Sequence, residues 1–498
     1  MPRRASRTTL YIEILHAFFR KAFPLTALHT LFQRAQSPLT KVPGPWYSKW
    51  TSLVLTYHWL RGKRAQYVQH LHEEYGRVVR VSPGKVDFSS ISGAKRIHSF
   101  NRPFLKTSMY DVFRAGNGTN TMFSTQNLDY HARHRRLLSA PISEASLKNV
   151  EHIVQARVDL AIEKIGLDMK RYGAADVMKW WIFFSTDVIG ELTFGDSFRM
   201  LEQGKINQYA RDLHEIAGNV GIRIAFPRLI KLASYLPLPL FSRVYASSQR
   251  MGFYAEESVL RYERMIAAEP NNPKTTLFTK LFNASEEKMS RPEIIANSQS
   301  YITAGSDTTA HSLTYLTWAV CRDDAIKAKL ARELETLPDG YRDEDLKSLP
   351  YLNQVIQETL RLYAAAPALL PRKIPPSGCE IDGYWMPGGT EVQTQAYSMH
   401  RDSQVYLEPE RFNPSRWESP SKEMKDAWMP FGGGARICLG LHLAQMELRM
   451  ATAKFFRSFP NAKVSTLDGF NDDDMEQVIF FLTFPKKKRC LIQASEGC

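Results

Sequence analysis

The stretch Phe431-Gly432-Gly433-Gly434-Ala435-Arg436-Ile437-Cys438-Leu439-Gly440 sets one cysteine on a tight glycine-rich loop. Leu439, Leu443, Met446 and Met450 then repeat at helical spacing, so the loop opens a helix. Such a loop can be a structural turn around a buried thiol. It can also aim the first amides of the helix at the sulfur, which favours a thiolate and holds it against a metal. Arg436, two residues before the cysteine, would then point away from the sulfur toward an acidic group.

A haem has an iron that takes an axial thiolate and propionates that take an Arg, so one loop can serve both ends of the cofactor. The stretch fits the pattern F-x-x-G-x-R-x-C-x-G and resembles the haem-thiolate loop of the cytochrome P-450 superfamily. That resemblance implies a mainly α fold with a small β subdomain. It also implies haem b (iron protoporphyrin IX) with Cys438 as its axial cysteine thiolate, Phe431 over the sulfur and Arg436 on a propionate. A thiolate opposite dioxygen pushes electron density toward it and favours O–O cleavage.

A second motif, Ala304-Gly305-Ser306-Asp307-Thr308-Thr309, falls inside a long helical stretch. Gly costs about 1 kcal/mol in a helix interior, and Asp and Thr are weak helix formers. Hydroxyls there can bond back to the preceding turn and open a groove, although a polar stripe against loops would look the same. The segment is similar to the family's oxygen-activating A-G-x-D-T pattern. By that resemblance Thr308 hydrogen-bonds the oxygen being activated, Asp307 relays protons from solvent, and Gly305 leaves room for cofactor or substrate.

Glu358 and Arg361 stand three apart on a helix expected from about Tyr351 to Tyr363, where they can pair. They match the family's E-x-x-R, and Pro409-Glu410-Arg411-Phe412 resembles its partner segment, which implies a buried structural triad of Glu358, Arg361 and Arg411. His131-Ala132-Arg133-His134-Arg135-Arg136 reads by itself as a basic helix face. It falls where the family has W-x-x-x-R, so Arg135 is expected on a propionate and His131, in the Trp position, keeps a ring N–H for the same purpose. Arg372, in Leu370-Pro371-Arg372, matches another propionate-binding Arg.

Around these motifs, strand signals are few. Val78 to Val81 and Val86 to Phe88 flank Ser82-Pro83-Gly84 as one hairpin, and Pro387-Gly388-Gly389 suggests the turn of a second. Ser290 and Glu293 form a capping box, with Pro292 in the first turn, that opens a helix to about Cys321. Residues 42–498 read as a single domain. Residues 1–41 read as an amphipathic segment whose best apolar run, Leu10 to Phe32, is broken by Glu13, His16, Arg20, Lys21, Pro24 and His29. It suits an interfacial anchor or an organelle transit peptide better than a span, and Val42-Pro43-Gly44-Pro45-Trp46 is a stiff hinge after it.

The 498 residues are 44% hydrophobic and 23% charged, a balance that excludes disordered and fibrous classes. A net charge of +14 favours acidic partners. Five scattered cysteines exclude a disulfide scaffold and a CxxC zinc site. Lys486-Lys487-Lys488-Arg489 follows an apolar run and marks the polar end of a strand, so no nucleic acid is expected.

The function implied by the resemblance is a monooxygenase that adds one atom of O2 to a lipophilic small molecule, in the style of fungal secondary-metabolite enzymes. No G-x-G-x-x-G follows a strand, so electrons are expected from a separate protein, which the resemblance implies is a membrane-bound NADPH-dependent flavoprotein reductase. The expected location is a membrane surface, at the endoplasmic reticulum facing the cytosol, with mitochondrial targeting as the alternative. Tyr235 to Phe241 is a second apolar segment for that surface. The pocket is expected from Met109 to Phe123, Tyr301, Ala365 to Leu370 and Ile479 to Leu482. Three rival readings stay open: a cysteine nucleophile with His442 as base, a haem-thiolate isomerase or dehydratase, and a haem-binding sensor.

Overall fold

The computed structural model describes residues 32–494 apart from 102–103, 116–117, 227–238, 270–275, 278 and 280–288. The anchor expected in residues 1–41 lies almost wholly outside the described residues, as does most of the Tyr235 to Phe241 segment. Helices dominate. In chain order the principal ones are α1 (Leu53–Leu60), α2 (Arg64–Tyr75), α3 (Leu128–Ser139), α4 (Glu151–Tyr172), α5 (Val177–Phe194), α6 (Gln208–Gly218), α7 (Val220–Ala225), α8 (Pro239–Ala268), α9 (Arg291–Cys321), α10 (Asp324–Leu334), α11 (Pro350–Leu362) and α12 (Leu441–Ser458).

α9 is the axle. Its start is fixed as the sequence indicates: the Ser290 N–H and hydroxyl both donate to Glu293, each at 2.8 Å, and Pro292 occupies the first turn. At about 1.5 Å per residue its 31 residues make a rod of about 46 Å. From Ser306 to Cys321 nearly every side chain is buried, because α5 lies along one side and α8, α11 and α12 pack on others. α5 is itself apolar almost all round, and ends where Gly195 takes a left-handed conformation (φ 75°).

The strands are short: β1 (Val78–Ser82), β2 (Lys85–Phe88), β3 (Leu105–Lys106), β4 (Ala175–Asp176), β5 (Arg372–Lys373), β6 (Cys379–Ile381), β7 (Tyr384–Met386), β8 (Glu391–Gln393), β9 (Ala462–Val464), β10 (Gln477–Ile479), β11 (Thr483–Pro485) and β12 (Leu491–Ala494). The largest sheet has the order β1-β2-β8-β5-β3. Its β1–β2 hairpin turns at Pro83-Gly84, as the sequence indicates. The second hairpin differs from expectation. It is β6–β7, turning at Asp382 (φ 49°) and Gly383 (φ 79°), and Pro387-Gly388-Gly389 only links β7 to β8. Two consecutive positive φ values are what a tight two-residue hairpin loop needs, and Asp-Gly supplies them.

The Pro-Gly-Pro segment is bound to this sheet. Arg80 of β1 gives its backbone N–H to Pro43 O at 2.7 Å and its guanidinium to the carbonyls of Leu39 and Val42. A side chain on Gly44 would meet Arg80 O at 2.6 Å, so the close approach requires glycine.

The expected triad forms with a different third member. Glu358 and Arg361 are fully buried and pair through two contacts of 2.8 and 2.9 Å. The second cation on Glu358 is Arg416 at 3.0 Å, and Trp417 Nε1–H adds a bond at 2.9 Å. Arg411, expected in that role, turns its exposed side chain to Glu408 and contributes only its carbonyl, which accepts from Arg361 and Arg416. The chain crosses Arg411 on the outside of a bend, and the short 3-10 turn at Pro414–Trp417 brings Arg416 back over the carboxylate.

Breaking a buried pair leaves an uncompensated charge that costs about 3–5 kcal/mol, whereas losing an exposed pair costs about 0–1 kcal/mol. Arg416→Met should therefore lower the chemical-denaturation stability by several kcal/mol, and Arg411→Met should leave it within about 1 kcal/mol of wild type. Equal effects of the two would contradict the assignment of Arg416.

Candidate functional site

The cysteine loop is shaped by two glycines in left-handed conformation, Gly432 (φ 73°) and Gly434 (φ 60°). At Gly434 a Cβ would fall 1.5 Å from the carbonyl oxygen of His98, so the loop is pressed against the main chain there. Met429 O accepts from Gly432 N–H at 3.0 Å, and Phe431 O accepts from Cys438 N–H at 2.9 Å. α12 then starts at Leu441, and the Gly440 N–H acts on the sulfur of Cys438. The sequence reading expected such amides to favour a thiolate. Burial outweighs them: it pushes the Cys438 thiol up, against the smaller opposing effects of Gly440 N–H and the Arg135 charge. A stable thiolate at this depth needs a cation against the sulfur.

The structure gathers the basic residues that the sequence singled out, which are scattered along the chain. Arg135 of α3 donates to Ile437 O at 2.8 Å, one residue before the cysteine. Arg436 donates to Thr125 O at 3.2 Å, while its Nη2 is buried and has no hydrogen-bond partner among the described residues. Arg372 of β5 is buried, bonded to the Tyr110 hydroxyl at 3.2 Å and to Pro371 O at 2.9 Å. His131 is buried in the same field. Burial and the charges of Arg436, Lys106, Arg135 and Arg372 lower its pKa to about 3. Burial and Arg372 bring Arg436 down to about 10.

Two members of this cluster carry no signal in the sequence. Lys106, on β3, is buried with its ammonium over the rings of Tyr110 and Phe123 at 4.1 and 4.2 Å. It donates to Phe123 O, and its pKa lies well below the ordinary lysine value. His98 backs the loop at Gly434, with Nε2 bonded to Thr394 Oγ1 at 2.7 Å and Nδ1 without a partner among the described residues. No carboxylate is paired with Lys106, Arg135, Arg372 or Arg436 in the described structure. Buried cations repelling one another call for an anion among them.

The groove motif lies in the middle of α9. Hydroxyls bond back one turn along the helix, as the residue types suggest: Thr308 Oγ1–H donates to Ala304 O at 2.6 Å, and Ser306 Oγ–H to Ile302 O at 2.8 Å. Ala304 is exposed although it sits at the centre of the molecule's longest helix, and Cys438 is exposed likewise. Both open on an interior cleft. Gly305 points elsewhere. A Cβ on it would meet Ile189 of α5 at 2.8 Å, so its lack of a side chain serves helix packing against α5. Asp307 is buried, and its charge reaches the buried phenol of Tyr209 on α6.

His131, Arg133, His134 and Arg135 share α3 but not a task. His134 turns to Glu293 at 3.3 Å, at the start of α9. His442 is exposed on α12, in a surface cleft with Glu144 and Lys347, and makes no hydrogen bond to Cys438; the nucleophile–base reading is not formed. Lys486 and Arg489 pair with Glu476 and Asp474, at 3.0 and 2.9 Å, at the end of β11.

The chain matches the family model described as Cytochrome P450 over residues 43–490. Cytochrome P450 monooxygenase tazI of Aspergillus terreus is 45% identical over 468 residues, spanning 93% of this chain and 96% of that protein. Cytochrome P450 monooxygenase orf2 of Aspergillus niger is 39% identical over 474 residues, spanning 95% and 96%. Tryprostatin B 6-hydroxylase of Aspergillus fumigatus is 30% identical over 438 residues, spanning 86% and 76%.

One buried acid beside the site yields a test. Glu447 of α12 is buried next to Thr309, and desolvation pushes its pKa up from 4.5 to about 8. Between those values the folded state holds a proton that the unfolded state releases, so this group makes stability fall as pH rises. Glu447→Gln should flatten the decline in melting temperature from about pH 5 to pH 8 and melt above wild type at the alkaline end. A variant with the wild-type slope would show that Glu447 is ionised throughout.

Proposed function

Because the chain belongs to the cytochrome P450 family of monooxygenases, we propose that it inserts one atom of O2 into a lipophilic small molecule in secondary-metabolite biosynthesis. The insertion is a hydroxylation or an epoxidation; a relative named as a 6-hydroxylase supports the former. The observation that carries the reading is one thiol enclosed in the fold and open to the interior cleft, beside buried and half-buried cations with which no carboxylate among the described residues is paired.

Haem b fits this donor set. Cys438 supplies a single soft ligand, and among the described residues no group of three or more His, Cys, Asp or Glu could hold a metal. The iron would therefore bring its other ligands in a ring, and would be the cation that the sulfur needs. Two propionates are the anions that Arg436, whose Nη2 has no partner among the described residues, Arg372, Lys106 and Arg135 lack, and the neutral His131 would offer them a ring N–H. Phe431, whose carbonyl accepts from Cys438 N–H, would lie over the sulfur, as in the loop that the sequence resembles. When bound, thiolate-ligated haem iron supplies the activation of dioxygen.

The chain's part is to place protons and exclude water. Thr308 has its hydroxyl proton engaged with Ala304 O, which leaves its oxygen lone pairs free to accept from water or substrate in the cleft. Asp307, the residue before it, is buried and holds or passes a proton behind it. The aromatic side chains of Tyr110, Phe113, Phe123 and Phe481 pack against one another and keep bulk water out.

Electrons come from a separate NADPH-dependent flavoprotein reductase, whose docking suits a surface of net charge +14. The protein works at a membrane surface, at the endoplasmic reticulum facing the cytosol. Trp46 (75% exposed), Leu53 (74%) and Tyr57 (53%) are large apolar side chains left exposed within one short stretch of the chain, which supports this location. Among the described residues no helix is long and apolar enough to cross a membrane, and the amphipathic sequence of residues 1–41 suits interfacial contact.

An isomerase or dehydratase needs no oxygen-directed proton path, and the Asp307-Thr308 pair stands against it. With reductase, NADPH and labelled O2, the product should carry one labelled oxygen. Thr308→Ala should keep NADPH oxidation within about threefold while product falls about tenfold or more and peroxide rises, the range for losing a proton-transfer group. Unlabelled product formed without NADPH, or proportional loss of NADPH oxidation and product in the variant, would overturn the proposal.

A further inference from the structure

Above the basic cluster the cleft has a wall of three phenylalanines from separate parts of the chain. Phe123 meets Phe113 edge-on at 5.4 Å and Phe481 edge-on at 6.1 Å, and Phe113 and Phe481 lie tilted at 4.8 Å. Each is only half-buried. Phe481 is held in the turn between β10 and β11, where Thr483 N–H donates to Ala365 O at 2.8 Å. The wall runs down to Lys106, whose ammonium lies over Phe123.

At its other end stands Arg223, on α7. Gly221 wedges this helix in place, since a Cβ there would meet Phe480 at 2.7 Å and Trp59 at 3.2 Å, and Ile224 joins the cluster containing Met109, Leu369 and Phe480. Arg223 donates from Nη2 to the carbonyl of Val112, the residue before Phe113. Burial lowers its pKa, and no carboxylate is paired with it among the described residues. A guanidinium has five N–H donors, and among the described residues this one has a single hydrogen-bond acceptor, Val112 O. A half-buried cation with spare donors beside an aromatic wall is a recognition group for an oxygen on a ring.

Resting on the oxygenase reading, we propose that Arg223 and the Phe113–Phe123–Phe481 wall select the substrate, and that it is a planar conjugated ring system bearing a carbonyl or carboxylate oxygen. The rings lie against the phenylalanine edges and faces, and Arg223 binds the oxygen. An analogue without the oxygen leaves a half-buried donor set unmet, which is how such sites discriminate.

The test is equilibrium dialysis of the haem-loaded full chain with 2-acetylnaphthalene, 2-naphthoate, 2-ethylnaphthalene and cyclohexyl methyl ketone. Wild type should bind 2-acetylnaphthalene and 2-naphthoate about tenfold more tightly than 2-ethylnaphthalene, and Arg223→Met should erase that ratio while leaving 2-ethylnaphthalene within about twofold. Phe481→Leu should weaken all three naphthalenes about fivefold and leave cyclohexyl methyl ketone unchanged. No preference for the oxygenated probes in wild type would overturn the proposal. So would equal losses on every probe in Arg223→Met, which would make the residue only a brace for Val112. Binding is read without turnover, so intact discrimination with no oxygen insertion would count against the oxygenase reading alone.

Discussion

The buried pair between Glu358 and Arg361 sets the position of the cysteine loop through an unbroken line of hydrogen bonds. Arg361 uses its side chain on Glu358 and on the carbonyls of His400, Pro409 and Arg411. Its own carbonyl accepts from Nδ1 of His400 at 2.8 Å. The other ring nitrogen of His400 accepts from Met429 N–H at 2.9 Å, and Met429 O holds Gly432. These roles make the ring neutral with its proton on Nδ1, and burial, lowering its pKa to about 3, keeps it so. Glu358 accepts from Arg361, Arg416, Trp417 and the backbone of Asn413. Full satisfaction of both charges is what makes a completely buried ion pair tolerable.

The second constraint is charge left over. Lys106, Arg135, Arg372 and Arg436 converge from four stretches of the chain and lower one another's affinity for protons or that of His131. The fold bears that cost at one place, beside a thiol whose burial disfavours its own anion. A single cofactor with a metal centre and two carboxylates resolves both, which is why the thiol and the cations are read as one site. The hydroxyl-rich groove of α9 then has something to act upon.

How much of this was legible in the sequence follows from how local each feature is. The cysteine loop, the capping box at Ser290 and the Ala304–Thr309 motif are each set by residues within a few positions of one another, and all stand where the sequence puts them. Partner choice across the chain was less legible. Pro409 to Phe412 pointed to the right segment, but which of two arginines reaches Glu358 depends on a bend that only the folded path shows. Gly305 stands out in a helix interior, but its packing against Ile189 is invisible in the sequence because Ile189 lies on another helix. Lys106, His98 and Arg223 sit in stretches with no motif and matter only for what packs around them. The hairpin turns at Asp382-Gly383, a signal local to two residues, beside a Pro-Gly cluster that carries more turn residues and forms only a link.

The central claim is that Cys438 is the thiolate ligand of a haem held by these cations. It is tested most directly by the absorption spectrum of the reduced, carbon monoxide-treated protein, wild type beside Cys438→Ser. The account predicts a strongly red-shifted thiolate-type Soret band in wild type and its loss in the variant. Absence of haem, or an ordinary histidine-type band unaffected by the substitution, would contradict it.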